Sequence, residues 1–283
     1  MMAFPRRRRQ EKKFNPWYAF LILVVLIVAF SLKIIEALRV QPTPSSDIPA
    51  VTYVEVTKPT SETQPAPVPA PEPDLVMELD TELEPKTEPV PALPPLEFNL
   101  AVPFTSQAPY RNWDELHNDA CEEAAFYMVL EYYAGAAVGE LDPVVADPEL
   151  IRMVQAEESL GMGPSISLAQ AQEFLLKDSG TKAIIIDNPT SDDIKALIAA
   201  GKPVIVPAAG RELGNPNFTG EGPLYHMLVI RGYTETTFIT NDPGTRLGQN
   251  YIYDIDVIME AMGDWINEDP TNGPKRIMYI EPV

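Results

Sequence analysis

Residues 224–244 read LYHMLVIRGYTETTFITNDPG, and this stretch sets the fold class of the chain. It holds two runs rich in β-branched and aromatic residues, at 224–233 and 236–240, joined by a short polar link. Such a pair predicts a hairpin of antiparallel strands. Upstream, residues 119–135 read DACEEAAFYMVLEYYAG, which has a polar start, an apolar body and a terminal glycine. This pattern predicts a helix that precedes the strands.

The same alternation of helix and strand signals extends over residues 97–283, which we expect to form one domain. Ser167 and Gln170 form a capping box ahead of a helix at 168–178. The further predicted helices cover 148–159, 191–200 and 254–262, and the further predicted strands cover 182–186, 203–207 and 276–280. Helices that come first and strands that come later predict an α+β fold built on an antiparallel sheet.

The composition excludes several classes of protein. The net charge is −20, whereas nucleic-acid binding needs a basic surface, so we expect no nucleic-acid partner. Gly201-Lys202 lacks the upstream glycine of a Walker A loop, and residues 161–163 lack the third glycine of a dinucleotide fingerprint, so no nucleotide is expected. One cysteine and two histidines are too few ligands for a structural zinc site. We therefore predict neither a metal nor a cofactor.

The N-terminal residues predict a membrane anchor. Residues 1–16 form a basic tail, and the run from Trp17 to Leu32 carries no charge. A transmembrane helix over 17–38 is long enough for a bilayer because Lys33 can extend its side chain to the interface. The basic tail then places the N-terminus in the cytoplasm and the C-terminal domain outside the cell membrane. A signal peptide cleaved near Ala29-Phe30-Ser31 is the alternative.

Residues 39–96 are typical of a disordered linker. They are rich in proline, which removes hydrogen-bond donors, and residues 41–96 hold ten Asp/Glu against two Lys/Arg. An extended, self-repelling spacer is the expected result, and a ligand for SH3-type domains is the alternative.

Cys121 is the candidate nucleophile. With Asp119 as the predicted N-cap, the cysteine falls at the second position of its helix. Unpaired backbone N–H groups and the helix dipole stabilise a thiolate there. A small buried residue with no chemistry is the alternative interpretation.

His226 and Asp242 complete a candidate catalytic group. A thiolate needs an imidazole that accepts its proton and later protonates the leaving amine, and His226 lies in the first strand of the hairpin. Asp242 follows the second strand, where its carboxylate would orient the imidazole. Asn241 is an alternative orienting residue. His117, which precedes Cys121 by four residues, is the competing base, and we interpret it as a surface loop residue.

Three features before and between these residues are candidate parts of a cleft. The amide of Gln107 can donate to an oxyanion, together with the backbone N–H of Cys121. Trp113 is a candidate cleft wall, and the glycine-rich residues 208–222 are a candidate mobile rim. A loop glutamine, a loop anchor and an ordinary surface loop are the respective alternatives.

The order VPFTSQAP, DACEEA, HMLVIRGY and NDPG along residues 98–283 resembles the peptidase C39-like family. That resemblance implies a papain-like cysteine peptidase fold and a thiol protease activity. It also implies roles for four residues: Cys121 as nucleophile, His226 as base and acid, Asp242 as its orienting residue and Gln107 as oxyanion donor. One departure is that Glu122 follows the cysteine, where many members have glycine, and a nearby carboxylate raises a thiol pKa.

The leading hypothesis is a membrane-anchored extracytoplasmic cysteine peptidase that acts on a peptide or protein substrate. The alternative is a catalytically weak or inactive papain-like domain that acts as an envelope binding module. An amidase or acyltransferase would use the same residues.

Overall fold

The computed structural model describes residues 46–53, 56 and 95–281. Its strands are β1 (Phe98–Asn99), β2 (Lys182–Asp187), β3 (Val204–Ala209), β4 (Tyr225–Tyr233), β5 (Thr237–Asn241), β6 (Tyr251–Asp254) and β7 (Arg276–Glu281). Its helices are α1 (Glu115–Asn118), α2 (Cys121–Tyr133), α3 (Pro143–Ser159), α4 (Leu168–Ser179), α5 (Ser191–Ala199) and α6 (Ile255–Ala261), with a 3-10 helix at Gly210–Leu213. The strands form one antiparallel sheet in the order β2-β7-β3-β4-β5-β6, and β1 pairs with β4. The predicted α+β class is confirmed.

Strand β4 is the centre of the domain. It lies between β3 and β5, and each of its nine residues is buried. The pairing sets His226 opposite Ala208 of β3 and Val229 opposite Asn241 of β5. Helices α2 and α5 both pack against β4. A strand that is covered on both faces needs apolar residues on both, which explains its almost continuous apolar run.

Helix α2 is buried along most of its length. Ala124, Ala125 and Phe126 are inaccessible to solvent. The small alanine side chains let the helix approach the sheet closely, so α2 forms part of the main hydrophobic core.

The start of α2 differs from the prediction. Its N-cap is Ala120, which makes no side-chain capping bond, and Cys121 is its first residue. Asp119 is instead the C-cap of α1, where its backbone N–H donates to Leu116 O at 3.1 Å. The prediction that Asp119 is the N-cap of α2 is therefore wrong, because the aspartate closes the preceding helix rather than opening the next.

The other elements follow the sequence prediction closely. The Ser167–Gln170 capping box is formed at the start of α4. Helix α3 begins five residues earlier than predicted because Asp142 caps it and Pro143, at the first helical position, needs no hydrogen bond. The short strands β1 and β6 were missed, since two and four residues carry no readable alternation.

Part of the predicted linker packs on the domain. Val51 N donates to Asn99 O at 2.7 Å, and Val51 O accepts from Ala101 N at 2.7 Å. The Tyr53 ring lies edge-on to Tyr132 and Tyr133, with centroids 5.7 and 5.0 Å away. A disordered linker therefore does not describe this segment. The run AVTYVEV between two prolines is the sequence signal that marks it.

The basic tail 1–16, the predicted transmembrane helix 17–38 and most of the predicted linker 39–96 lie outside the described residues. Within residues 46–53, 56 and 95–281, no helix combines the length and the apolar character that crossing a bilayer requires.

Gly232 tests the packing of β1 on β4. A Cβ at this position would lie 2.6 Å from Phe98 O and 3.0 Å from Asn99 Cα. We expect Gly232→Ala to lower the free energy of unfolding by about 1–3 kcal/mol through overpacking, measured by urea denaturation. Gly163→Ala is the control, because a Cβ there meets nothing within 4 Å, and its effect should stay within about 0.5 kcal/mol. Equal stabilities of the two variants would contradict the packing described.

Candidate active site

Cys121 lies in a cleft of about 760 Å³ between the start of α2 and the start of β4. His226, Gln107, Glu122 and Trp113 line the same cleft. Helix α2 packs directly against β4, and the backbone N–H of Met227, the residue directly after His226, acts to lower the pKa of the thiol. The first turn of α2 therefore touches β4 at the position of the candidate histidine.

Glu122 makes the closest polar contact of the thiol. The Sγ–H of Cys121 donates to Glu122 Oε2 at 2.8 Å, while Oε1 accepts from Ile166 N at 3.2 Å. Burial, and then the charge of Glu122 and the bond to it, raise the pKa of the Cys121 thiol well above its ordinary value. Burial also raises the pKa of Glu122 to about 7, although the bond from Cys121 opposes this. The resting thiol is therefore protonated at neutral pH.

The imidazole of His226 is held from behind by Asp242. His226 Nε2 lies 2.7 Å from Asp242 Oδ1, and both side chains are buried. Burial alone would raise the pKa of Asp242, but the charge and hydrogen bond of His226 bring it below its ordinary value. The ring of Phe218 packs edge-on against the imidazole at 5.3 Å. Since Nε2 is engaged by Asp242, Nδ1 is the nitrogen through which His226 can exchange a proton in the cleft.

The Asp242 carboxylate is anchored by three further donors. Oδ1 also accepts from Gly244 N at 3.0 Å. Oδ2 accepts from Tyr253 OH at 2.6 Å and from Asn215 Nδ2 at 3.0 Å. Tyr253 and Asn215 are not predictable from the sequence, because they come from β6 and from the loop after β3 and share no local motif with Asp242.

Asn241 does not contact His226. Its Nδ2 donates to Val102 O at 3.2 Å and to Pro103 O at 2.9 Å. Successive residues of an extended chain point to opposite sides, so Asn241 and Asp242 cannot both face the histidine. Of the two residues that the sequence left open, Asp242 is the one beside the imidazole.

Gln107 lies in the cleft, but its N–H groups are already engaged. Nε2 donates to His117 O at 2.8 Å and to Asn118 O at 2.9 Å, which ties this loop to α1. Oε1 is buried and has no hydrogen-bond partner among the described residues. In this arrangement, the amide holds the loop in place rather than presenting a free donor to the cleft.

His117 is a buried residue of α1, so its interpretation as a surface loop residue is wrong. It is 3% exposed and lies outside the cleft. His117 Nδ1 is 2.6 Å from Asp114 Oδ1, and Nε2 is 3.2 Å from Asp147 Oδ1. Contacts with these two carboxylates hold the buried ring in place, outside the cleft that contains the thiol.

The remaining candidates border the cleft. Trp113 lines it and is half-exposed, and Phe218 and Gly222 from the glycine-rich segment form its rim. Among the described residues, no group of three or more His, Cys, Asp and Glu side chains is arranged to hold a metal ion.

Comparison with known proteins gives a family match and a likeness to solved structures. Residues 99–269 match the Peptidase_C39 like family. A crystal structure from Bacillus anthracis, described as that of a C39-like peptidase, is 16% identical with a TM-score of 0.43, and the alignment covers 65% of this chain and 98% of that chain. No curated protein matches the sequence.

Substitution of Glu122 tests its hold on the thiol. Glu122→Gln removes the charge next to the sulfur, so we expect the pKa of Cys121 to fall and alkylation by iodoacetamide at pH 7–8 to accelerate about tenfold for each pKa unit lost. Glu123→Gln is the matched control, since among the residues that shift the Cys121 pKa the charge of Glu123 acts most weakly. An alkylation profile that is the same in wild type and Glu122→Gln would show that this contact does not keep the thiol protonated.

Proposed function

The chain belongs to the Peptidase C39-like family, and on that premise we propose that its domain is a cysteine peptidase. Cys121 is the nucleophile, His226 the general base and acid, and Asp242 the residue that orients the imidazole. The observation that carries the proposal is the shared cleft: Cys121 and His226 line the same cavity, and Asp242 holds the far side of the imidazole at 2.7 Å.

The proposed reaction begins with transfer of the Cys121 proton to His226 Nδ1. The thiolate adds to the peptide carbonyl carbon, and the carbonyl electron pair moves to the oxygen. His226 then protonates the leaving nitrogen, the C–N bond breaks, and a thioester remains. Water, deprotonated by His226, attacks the thioester and releases the acid, and the proton returns to sulfur. Asp242 stays ionised throughout and stabilises the imidazolium, consistent with its lowered pKa.

The oxyanion is stabilised by the backbone N–H of Cys121 and by Gln107. As the first residue of α2, Cys121 has an N–H without an intrahelical acceptor. Gln107 donates only after one of its bonds to His117 O or Asn118 O opens. We therefore propose that the Cys121 N–H is the preorganised donor and that Gln107 joins it when substrate is bound.

A binding module without catalysis is the second candidate, and the Glu122 contact favours it. A thiol that donates to a carboxylate at 2.8 Å is a poor nucleophile until that bond opens. A binding module should react with thiol probes no faster than free cysteine, whereas a peptidase should react faster once Glu122 is neutral. The geometry suits an amidase or acyltransferase as well as a peptidase, because all three use the same residues.

The catalytic assignment predicts the outcome of three substitutions. Cys121→Ala and His226→Ala should each lower hydrolysis of a fluorogenic peptide library by about 10³-fold or more, because each removes a step of the reaction. His117→Gln should keep the wild-type rate per folded molecule, although the loss of its contacts with Asp114 and Asp147 costs stability. Full activity of Cys121→Ala would end the peptidase proposal.

We propose that residues 17–38 anchor the chain in the cell membrane, with residues 1–16 in the cytoplasm and the peptidase domain outside. The full chain should then stay in membranes washed with alkaline carbonate, because a transmembrane helix resists such extraction. Protease added to intact spheroplasts should remove the domain from the outside. A mature protein that starts near Leu32 would contradict the anchor and support the cleaved signal peptide.

A further inference from the structure

A second cavity of about 460 Å³ lies beside the cleft, between α1, α2 and α3. Five of its lining residues are acids: Glu115, Asp119, Glu123, Glu157 and Glu158. Asp119 lines both this pocket and the Cys121 cleft, so the two cavities adjoin. We refer to this cavity as the acidic pocket.

Two carboxyl groups, those of Glu123 from α2 and Glu157 from α3, are buried in the wall of the acidic pocket. Each residue is only 3% exposed, and the two side chains are within hydrogen-bonding distance of each other. Glu123 Oε2 and Glu157 Oε1 accept no hydrogen bond from a donor group of any described residue. Buried carboxylate oxygens that lack a donor are costly, and such groups normally have a paired cation.

The charged neighbours of this pair are acids as well. The charge of Glu122 raises the pKa of both residues, and the charge of Asp178 of α4 raises the pKa of Glu157. Arg152, on the same helix as Glu157, is engaged by Glu149 and Asp178. Burial, and then the charge of the partner, raise the pKa of Glu123 well above its ordinary value, and burial followed by the charge of Glu122 raises that of Glu157 to about 8. In the free protein, the pair therefore retains protons at neutral pH.

The rest of the lining is apolar. Leu116, Val154 and Met162 contribute hydrocarbon surface to the same pocket. Long basic side chains combine a methylene stem with a charged end, and they bury the stem along apolar surface. Since no described cluster is arranged to hold a metal ion, an organic cation fits this pocket better than a metal ion does.

We propose that the acidic pocket binds a lysine or arginine side chain of the substrate, with the cationic end against Glu123 and Glu157. This inference rests on the proposed peptidase function, because it makes the pocket a specificity site of the Cys121 cleft. Glu123 follows Cys121 by two residues, and Asp119 joins the two cavities, so one peptide can occupy both. Binding displaces a proton from the carboxyl pair to solvent, and the resulting carboxylate pairs with the cation.

The pocket is tested by calorimetry on the full chain carrying Cys121→Ser, in which neither hydrolysis nor acylation of sulfur can interfere. The probes are Nα-acetyl-lysine methylamide and Nα-acetyl-norleucine methylamide, which differ mainly in the terminal cation. We expect the lysine probe to bind about tenfold tighter, the equivalent of roughly 1.4 kcal/mol. Equal affinities would overturn the proposal, and this comparison needs no substitution in the pocket.

Substitution of Glu157 tests whether the preference for the lysine probe arises in the acidic pocket. Glu157→Gln should reduce the preference for the lysine probe to about twofold or less, since a glutamine cannot supply the charge. Glu173→Gln, at an exposed position of α4 outside the pocket, is the matched control and should leave the preference unchanged. A lysine preference that survives Glu157→Gln would place the cation elsewhere.

Proton release separates this mechanism from a merely structural carboxyl pair. At pH 7, the apparent binding enthalpy should differ between phosphate and Tris buffers, because the pair gives up a proton to the buffer. This difference should disappear in Glu157→Gln. Lysine binding with proton release, in a chain whose wild type cleaves no peptide, would retain the pocket and reject the peptidase. Cleavage without preference for basic residues would retain the peptidase and reject the pocket.

Discussion

The contact between the first turn of α2 and strand β4 is the constraint on which the rest of the domain depends. β4 is paired with β3 and β5 and is buried throughout, so it cannot shift without breaking the sheet. Arg231, fully buried on this strand, donates to Leu100 O at 2.8 Å and to Asn99 Oδ1 at 3.1 Å, which ties β4 to β1. Because α2 packs directly against β4, this strand also positions Cys121 relative to His226.

Buried acids give the domain its unusual electrostatics. Glu122, Glu123 and Glu157 are almost inaccessible to solvent, and none forms an ion pair in the part of the chain described. Desolvation favours the neutral acid, so these residues hold protons at pH values where surface carboxyls are ionised. Glu122 accepts the hydrogen bond of the Cys121 thiol in the cleft, and Glu123 and Glu157 lie in the wall of the acidic pocket. These three buried acids therefore extend from the candidate nucleophile, Cys121, to the candidate specificity site.

Elements with long local signals were predictable, and those with competing signals were not. The α4 capping box and the β4–β5 hairpin follow from residues adjacent in sequence. Asp119 suits the end of α1 as well as the start of α2, so the N-cap of α2 was misassigned. His117 is polar and was predicted on a surface loop, but it is buried because its ring nitrogens contact Asp114 and Asp147.

The sequence by itself determined the α+β class and the order of candidate residues, because apolar periodicity and residue type are local properties. Only the tertiary structure decided that Asp242 rather than Asn241 faces His226, that Gln107 is tied to α1, and that Glu122 binds the thiol. These outcomes depend on distances between side-chain atoms, which residue type and apolar periodicity do not define. Hydrogen bonding and desolvation act over a few ångströms, so they are defined only once the chain has folded.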